Sequence, residues 1–241
     1  MKYKDFLDNK IKNYDNILRE FNSEHWIEEI ALRKMFQFPD YEGSDFADHI
    51  YEKKAEILMR VILLNQIYSI GLQQHPTSEL TIKTRTTKYK ETIDVMAMTE
   101  RIFVNAKEID KYAENGDPQA VEIIRDKNSE KYKDAYSFAT KYCSFKNPEA
   151  FPIVDQNVKK MFKEFAKDKE LSKYISDKVK MGEIDKDYLV FKKVHKACQT
   201  YISQNTDSEY ISCKYTDMFL WQCGKEYLSE KQSATNRSDP K

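Results

Sequence analysis

The chain has 241 residues, with 40 basic and 40 acidic side chains and a formal net charge of zero. That balance excludes a global pull on phosphate, so any nucleic-acid surface has to be a local patch. A hydrophobic share of 40%, with 16 Tyr and 13 Phe, excludes a disordered chain and supplies a sizeable core.

In chain order, the opening MKYKDFLDNKIKNYDNILREF is charged throughout, unlike a secretory signal. Within it Phe6, Ile11, Tyr14 and Leu18 recur at helical spacing and predict a first helix. Trp26, Ile27, Ile30, Leu32 and Phe36 predict a second. The stretch Asp45–Leu72 opens with polar capping residues and turns strongly apolar from Ile57, which predicts a central buried helix. His75–Lys90 is a polar, Thr-rich connector, read as a mobile loop or a short hairpin. Further helices are predicted over 92–105, 109–112, 119–125, 134–145, 156–166, 187–204 and 215–228, with a short element near 171–179. The closing SEKQSATNRSDPK, residues 229–241, reads as a disordered tail.

Five glycines and almost no β-branched alternation make the predicted fold all-α. The expected organisation is one helical domain over 1–228, a bilobed body around a cleft being its open variant. No apolar run approaches 18 residues, so no membrane partner is expected. Cys143, Cys198, Cys213 and Cys223 form no C-x-x-C, and His25, His49, His75 and His195 show no metal spacing. No metal or cofactor is therefore expected, and unpaired thiols fit a cytoplasmic setting.

Two residues carry candidate chemistry. Lys141 lies in YSFATKYCSF, on a helical stripe with Phe138 and Phe145. A snorkelling lysine, its stem on the core and its ammonium in water, is one reading. The other is a desolvated nucleophilic amine. A free lysine, with a pKa of about 10.4, is neutral in only about one copy in a few thousand at pH 7, and an apolar setting raises that fraction. Asp155 follows FPIV and starts an amphipathic run in which Val158, Met161, Phe162 and Phe165 face inward. It reads as a helix N-cap, and a carboxylate held there is also suited to stay charged beside a developing cation.

The segments ILMRVILLNQIYSIGL and SFATKYCSF…FPIVDQNVKKM resemble the central helix and the catalytic segment of the helix–hairpin–helix DNA glycosylase superfamily. The similarity is to the branch that removes 8-oxoguanine, and it covers about Ile57–Phe165. It implies a helical glycosylase-like fold in which Lys141 is the Schiff-base lysine and Asp155 the partner acid. It further places Asn65, Gln66, Tyr68 and Phe145 near a flipped nucleotide of double-stranded DNA, in a base-excision-repair enzyme with β-lyase activity, nucleoid-associated if bacterial. The superfamily's glycine-rich hairpin is replaced here by RDKNSEKYKDAY, which has no glycine.

Backbone anchoring then falls to two basic runs: Lys83, Arg85, Lys88 and Lys90 in the Thr-rich connector, and Lys159 with Lys160, Lys163 and Lys167 after Asp155. The bland reading of both runs is a solvated face. A second function class stays open: a non-catalytic helical nucleic-acid-binding or interaction module on the same scaffold.

Overall fold

The computed structural model describes residues 2–37, 50–68, 72, 93–128, 134–175, 179–180 and 182–237. Among them are ten α-helices and one 3-10 helix, and no strand element. The helices are α1 (Tyr3–Ile11), α2 (Tyr14–Met35), α3 (Ile50–Ile67), α4 (Val95–Val104), α5 (Ala106–Glu114), α6 (Gln119–Arg125), α7 (Tyr136–Lys146), α8 (Gln156–Lys167), α9 (Tyr188–Asn205) and α10 (Cys213–Arg237). The 3-10 helix, Leu171–Tyr174, lies between α8 and α9. No helix among the described residues is long and apolar enough to cross a membrane.

The chain divides into two compact units: Met1–Trp26 with Pro148–Lys241, and Ile27–Asn147. The second of these is one continuous stretch, inserted between the two parts of the first.

In the inserted unit, α3 packs along α4, and α6 packs on both α5 and α7. Ile57, Val61 and Leu64, spaced one helical turn apart, form the buried face of α3. Fully burying each such side chain contributes about 1.5–3 kcal/mol. Met59 and Ile62 point away from this face and are exposed, so burial of the apolar α3 stretch is one-sided rather than complete. Arg60, only 1% exposed, donates from Nε to the carbonyl of Met35 at 2.7 Å, capping the end of α2. Asp126 closes α6 in the left-handed region at φ 47°, a conformation Asp tolerates better than most residues. The connection from α6 to α7 is then clasped at its base: Arg125 binds both carboxylate oxygens of Asp134, and the Ala135 N–H donates to the Arg125 carbonyl.

In the other unit, α8 packs along α10, and α9 packs against α8 and the 3-10 helix. Tyr227 of α10 meets the rings of Tyr3 and Phe6 on α1 at 5.4 and 5.0 Å. Gly224 permits the close approach of α10 to α8, because a Cβ there would stand 2.9 Å from the Cβ of Asn157. The Trp221 ring lies 5.6 Å from Phe21 and 5.5 Å from His25, and these contacts anchor α10 on α2.

Several boundaries differ from those read off the sequence. The first break comes at Lys12–Asn13, and α2 then runs unbroken to Met35, joining the end of the first expected helix to the second. The heptad-like spacing of Tyr3, Phe6, Leu7, Ile11, Tyr14 and Leu18 runs through the break, so periodicity does not reveal it. The central helix stops at Ile67, and Leu72 is buried beyond its end. The last helix continues to Arg237, past the point where composition predicts a tail. The Thr-rich connector His75–Lys90 lies outside the described residues.

Candidate functional site

Helix α7 has no solvent side over most of its length. Phe138 through Phe145 are buried without interruption, which no amphipathic helix on a surface would show. Lys141 sits in the middle of this run and is 5% exposed. Its Nζ donates to Ser137 Oγ, one turn back, at 2.7 Å and lies 5.3 Å from the centroid of the Tyr68 ring. Phe145 is 6.2 Å from Tyr68, and Phe36 joins them through Phe145 at 5.7 Å and Tyr142 at 4.8 Å. Three of the residues singled out from sequence, Tyr68, Lys141 and Phe145, therefore share one aromatic surround inside the inserted unit. The snorkelling reading is set aside, since it requires an ammonium at the surface.

Asn65 does something narrower than the sequence implies. Its amide makes two hydrogen bonds to Leu72, giving one to the carbonyl at 3.2 Å and accepting one from the N–H at 2.9 Å. Asn65 thus holds the chain that leaves α3. Gln66, beside it, is exposed.

Asp155 belongs to the other unit. Its backbone is extended, and its side chain accepts from the Asn157 N–H at 2.7 Å, the N-cap arrangement expected from the sequence. The preceding segment is fixed residue by residue. The Phe151 ring lies 6.3 Å from Tyr188 and parallel to it, and the Tyr188 hydroxyl donates to the Pro152 carbonyl at 3.0 Å. The Ile153 N–H donates to Asp217 Oδ2 at 2.7 Å.

Of the basic residues, Lys83, Arg85, Lys88 and Lys90 lie outside the described residues. Lys159 pairs with Asp185 at 3.6 Å, and Lys163 pairs with the same carboxylate. Lys160 is exposed. The face after Asp155 is thus partly neutralised by the protein itself.

A cluster that the sequence reading did not find lies behind the Asp155 segment. His195 on α9 meets Cys213 and Asp217 on α10, and their donor atoms all fall within 4.8 Å of one another. All three residues are buried. Burial, reinforced by the Asp217 and Glu149 carboxylates, pushes the Cys213 thiol well above its ordinary range. The spacing of Cys213 and Asp217, one helical turn apart, was legible. The arrival of His195 from another helix was not, because only tertiary packing brings it there.

These features define an all-helical chain of two units with a buried lysine in one and a buried His–Cys–Asp cluster in the other. Residues 7–150 match the family HI_0787_N, described as an N-terminal domain, and the chain belongs to that family. The matched stretch takes in Lys141 and ends before Asp155. A Haemophilus influenzae protein named "Uncharacterized protein" is 30% identical over 149 residues, which is 60% of this chain and 65% of the relative. The matched region thus spans less than two thirds of that relative's length. No solved structure matches the chain.

Proposed function

We propose that the protein is a DNA glycosylase with β-lyase activity in which Lys141 is the nucleophile. The observation that carries the reading is the place of Lys141: an amine in the middle of an uninterrupted buried helical run, against the Tyr68 ring. An amine that attacks carbon has to be neutral, and removal from bulk water favours the neutral form. Once deprotonated, Nζ bonds to the sugar C1′ while the glycosidic bond breaks and the departing base takes a proton. Opening of the sugar ring then gives an imine, from which β-elimination follows. An aromatic surround is also what a flipped base stacks on, at an extrusion cost of a few kcal/mol that is smallest for a damaged base. The role of Asp155 as the acid that stabilises the cationic sugar rests on the resemblance; its cap geometry supports only that the carboxylate is held in place.

The second reading, a non-catalytic nucleic-acid-binding or interaction module, is favoured by Asn65, whose amide is engaged by Leu72 rather than presented to a nucleotide. Borohydride trapping on a panel of duplexes carrying oxidised, alkylated, deaminated and abasic sites separates the two. The enzyme reading expects a covalent protein–DNA adduct with at least one of them, lost in Lys141→Gln. A protein that binds these duplexes and forms no adduct with any of them is the module.

A further inference from the structure

Two polar atoms in the Met1–Trp26 and Pro148–Lys241 unit are buried at the same spot and make no hydrogen bond. His195 is 3% and Asp217 is 5% exposed. Nε2 of His195 and Oδ1 of Asp217 stand 3.2 Å apart, near enough for an ion pair, yet neither has a hydrogen-bond partner. Interior polar atoms are almost always satisfied, and one left without a partner is destabilising. The ring nitrogen and the carboxylate oxygen are side by side but are not aimed along a shared hydrogen bond. The Cys213 sulfur completes the group within 4.8 Å. We propose that His195, Cys213 and Asp217 bind a divalent metal ion of the zinc type.

The His195–Asp217 separation and the donor chemistry both fit. With metal–nitrogen and metal–oxygen bonds of about 2.0–2.2 Å, two ligand atoms on a tetrahedral ion stand roughly 3.3 Å apart. The separation found is 3.2 Å. Imidazole, thiolate and carboxylate together select zinc or its cobalt substitute over calcium or magnesium, which take oxygen alone. Binding displaces the Cys213 proton to solvent, because the thiolate is the ligand. The outer contact that a metal-binding carboxylate requires is already present: the Ile153 N–H holds Asp217 Oδ2 and leaves Oδ1 turned toward His195. Three protein ligands leave the fourth position for water. The ion would tie α9 and α10 to each other and, through Asp217, to the segment that leads into Asp155. The site is independent of the amine chemistry proposed for Lys141, which lies in the other unit.

The test uses the full chain, stripped with a chelator and titrated with Zn2+ or Co2+. The expected result is one equivalent of either metal bound, with Co2+ giving a thiolate-to-cobalt charge-transfer absorption. Cys213→Ser should remove that absorption. Asp217→Asn, which keeps an acceptor for the Ile153 N–H, should weaken binding at least 10-fold with the charge-transfer absorption retained at saturation. Circular dichroism reports whether each variant is folded, and the wild-type absorption carries the result even if Cys213→Ser is not. The proposal is overturned if wild-type protein binds neither metal stoichiometrically, if cobalt binds without the absorption, or if a folded Cys213→Ser protein retains it.

Discussion

Arg125 in the inserted unit and the His195–Asp217 pair in the other unit are both interior polar groups, and they are completed to different degrees. The Arg125 guanidinium uses Nε and Nη2 on Asp134 and Nη1 on Glu122, and it lies 3.9 Å from the Tyr136 ring centroid. Nε2 of His195 and Oδ1 of Asp217, at similar burial, have no hydrogen bond at all. The first arrangement is what a fold needs to keep a charge inside; the second leaves two interior polar atoms without a hydrogen bond. Lys141, also buried, has the Ser137 hydroxyl and the Tyr68 ring beside its ammonium. The difference lies in how far the protein itself satisfies an interior polar group.

The largest expected effect follows from the completed case. Arg125→Ala removes a buried side chain and its hydrogen bonds to the Asp134 and Glu122 carboxylates, and opens the clasp between α6 and α7. Because both carboxylates reach water, the cost in urea denaturation should be about 1.5–3 kcal/mol. A loss below 1 kcal/mol would mean that the clasp is ornamental, and the contrast with His195 would lapse.

Alkaline pH should next weaken the unit that holds Cys198, Cys223 and Tyr3. Burial is the largest cause raising each of these pKa values. The folded state therefore keeps protons that the unfolded chain gives up, and stability falls as pH rises above about 8.5. Urea midpoints measured from pH 7 to pH 10 should decrease monotonically; a flat profile would contradict the assignment of these groups as protonated interior residues.

At Asp155 the cap argument sets a smaller scale. Asp155→Ala should cost about 1 kcal/mol, and Asp155→Asn should cost only a fraction of that, since Asn caps as well. If Asp155 also acts as the acid, Asp155→Asn slows base release while stability stays near wild type. Equal activity of the two proteins would leave it a cap and nothing more.

The smallest effect on stability is expected where the effect on chemistry is greatest. Lys141→Met keeps an apolar stem of similar length and removes the amine. It should unfold near the wild-type urea concentration, while forming no borohydride-trapped adduct. A loss of several kcal/mol would place Lys141 with Arg125, among the charges that hold the fold.

How much of this was legible depends on the range of the interaction. Helix α6 matches its expected bounds of 119–125, and α8 starts at Gln156 as expected, because Pro118 and the Asp155 cap are local signals. The burial of Lys141 was legible as an aromatic context, but whether its ammonium reached water was not. That depends on Tyr68 and Phe36, which arrive from distant parts of the chain. The break at Lys12–Asn13 was hidden by a periodicity that continues across it. The His195–Cys213–Asp217 cluster was hidden because it joins two helices, and no spacing rule spans such a gap.

The most direct measurement identifies the atom that forms the bond. Protein trapped on a damaged duplex by borohydride, digested and read by mass spectrometry, should carry the DNA remnant on Lys141, within the YSFATKYCSF stretch of α7. A remnant on any other lysine, or on the N-terminal amine, would contradict the account and return Lys141 to the structural interior.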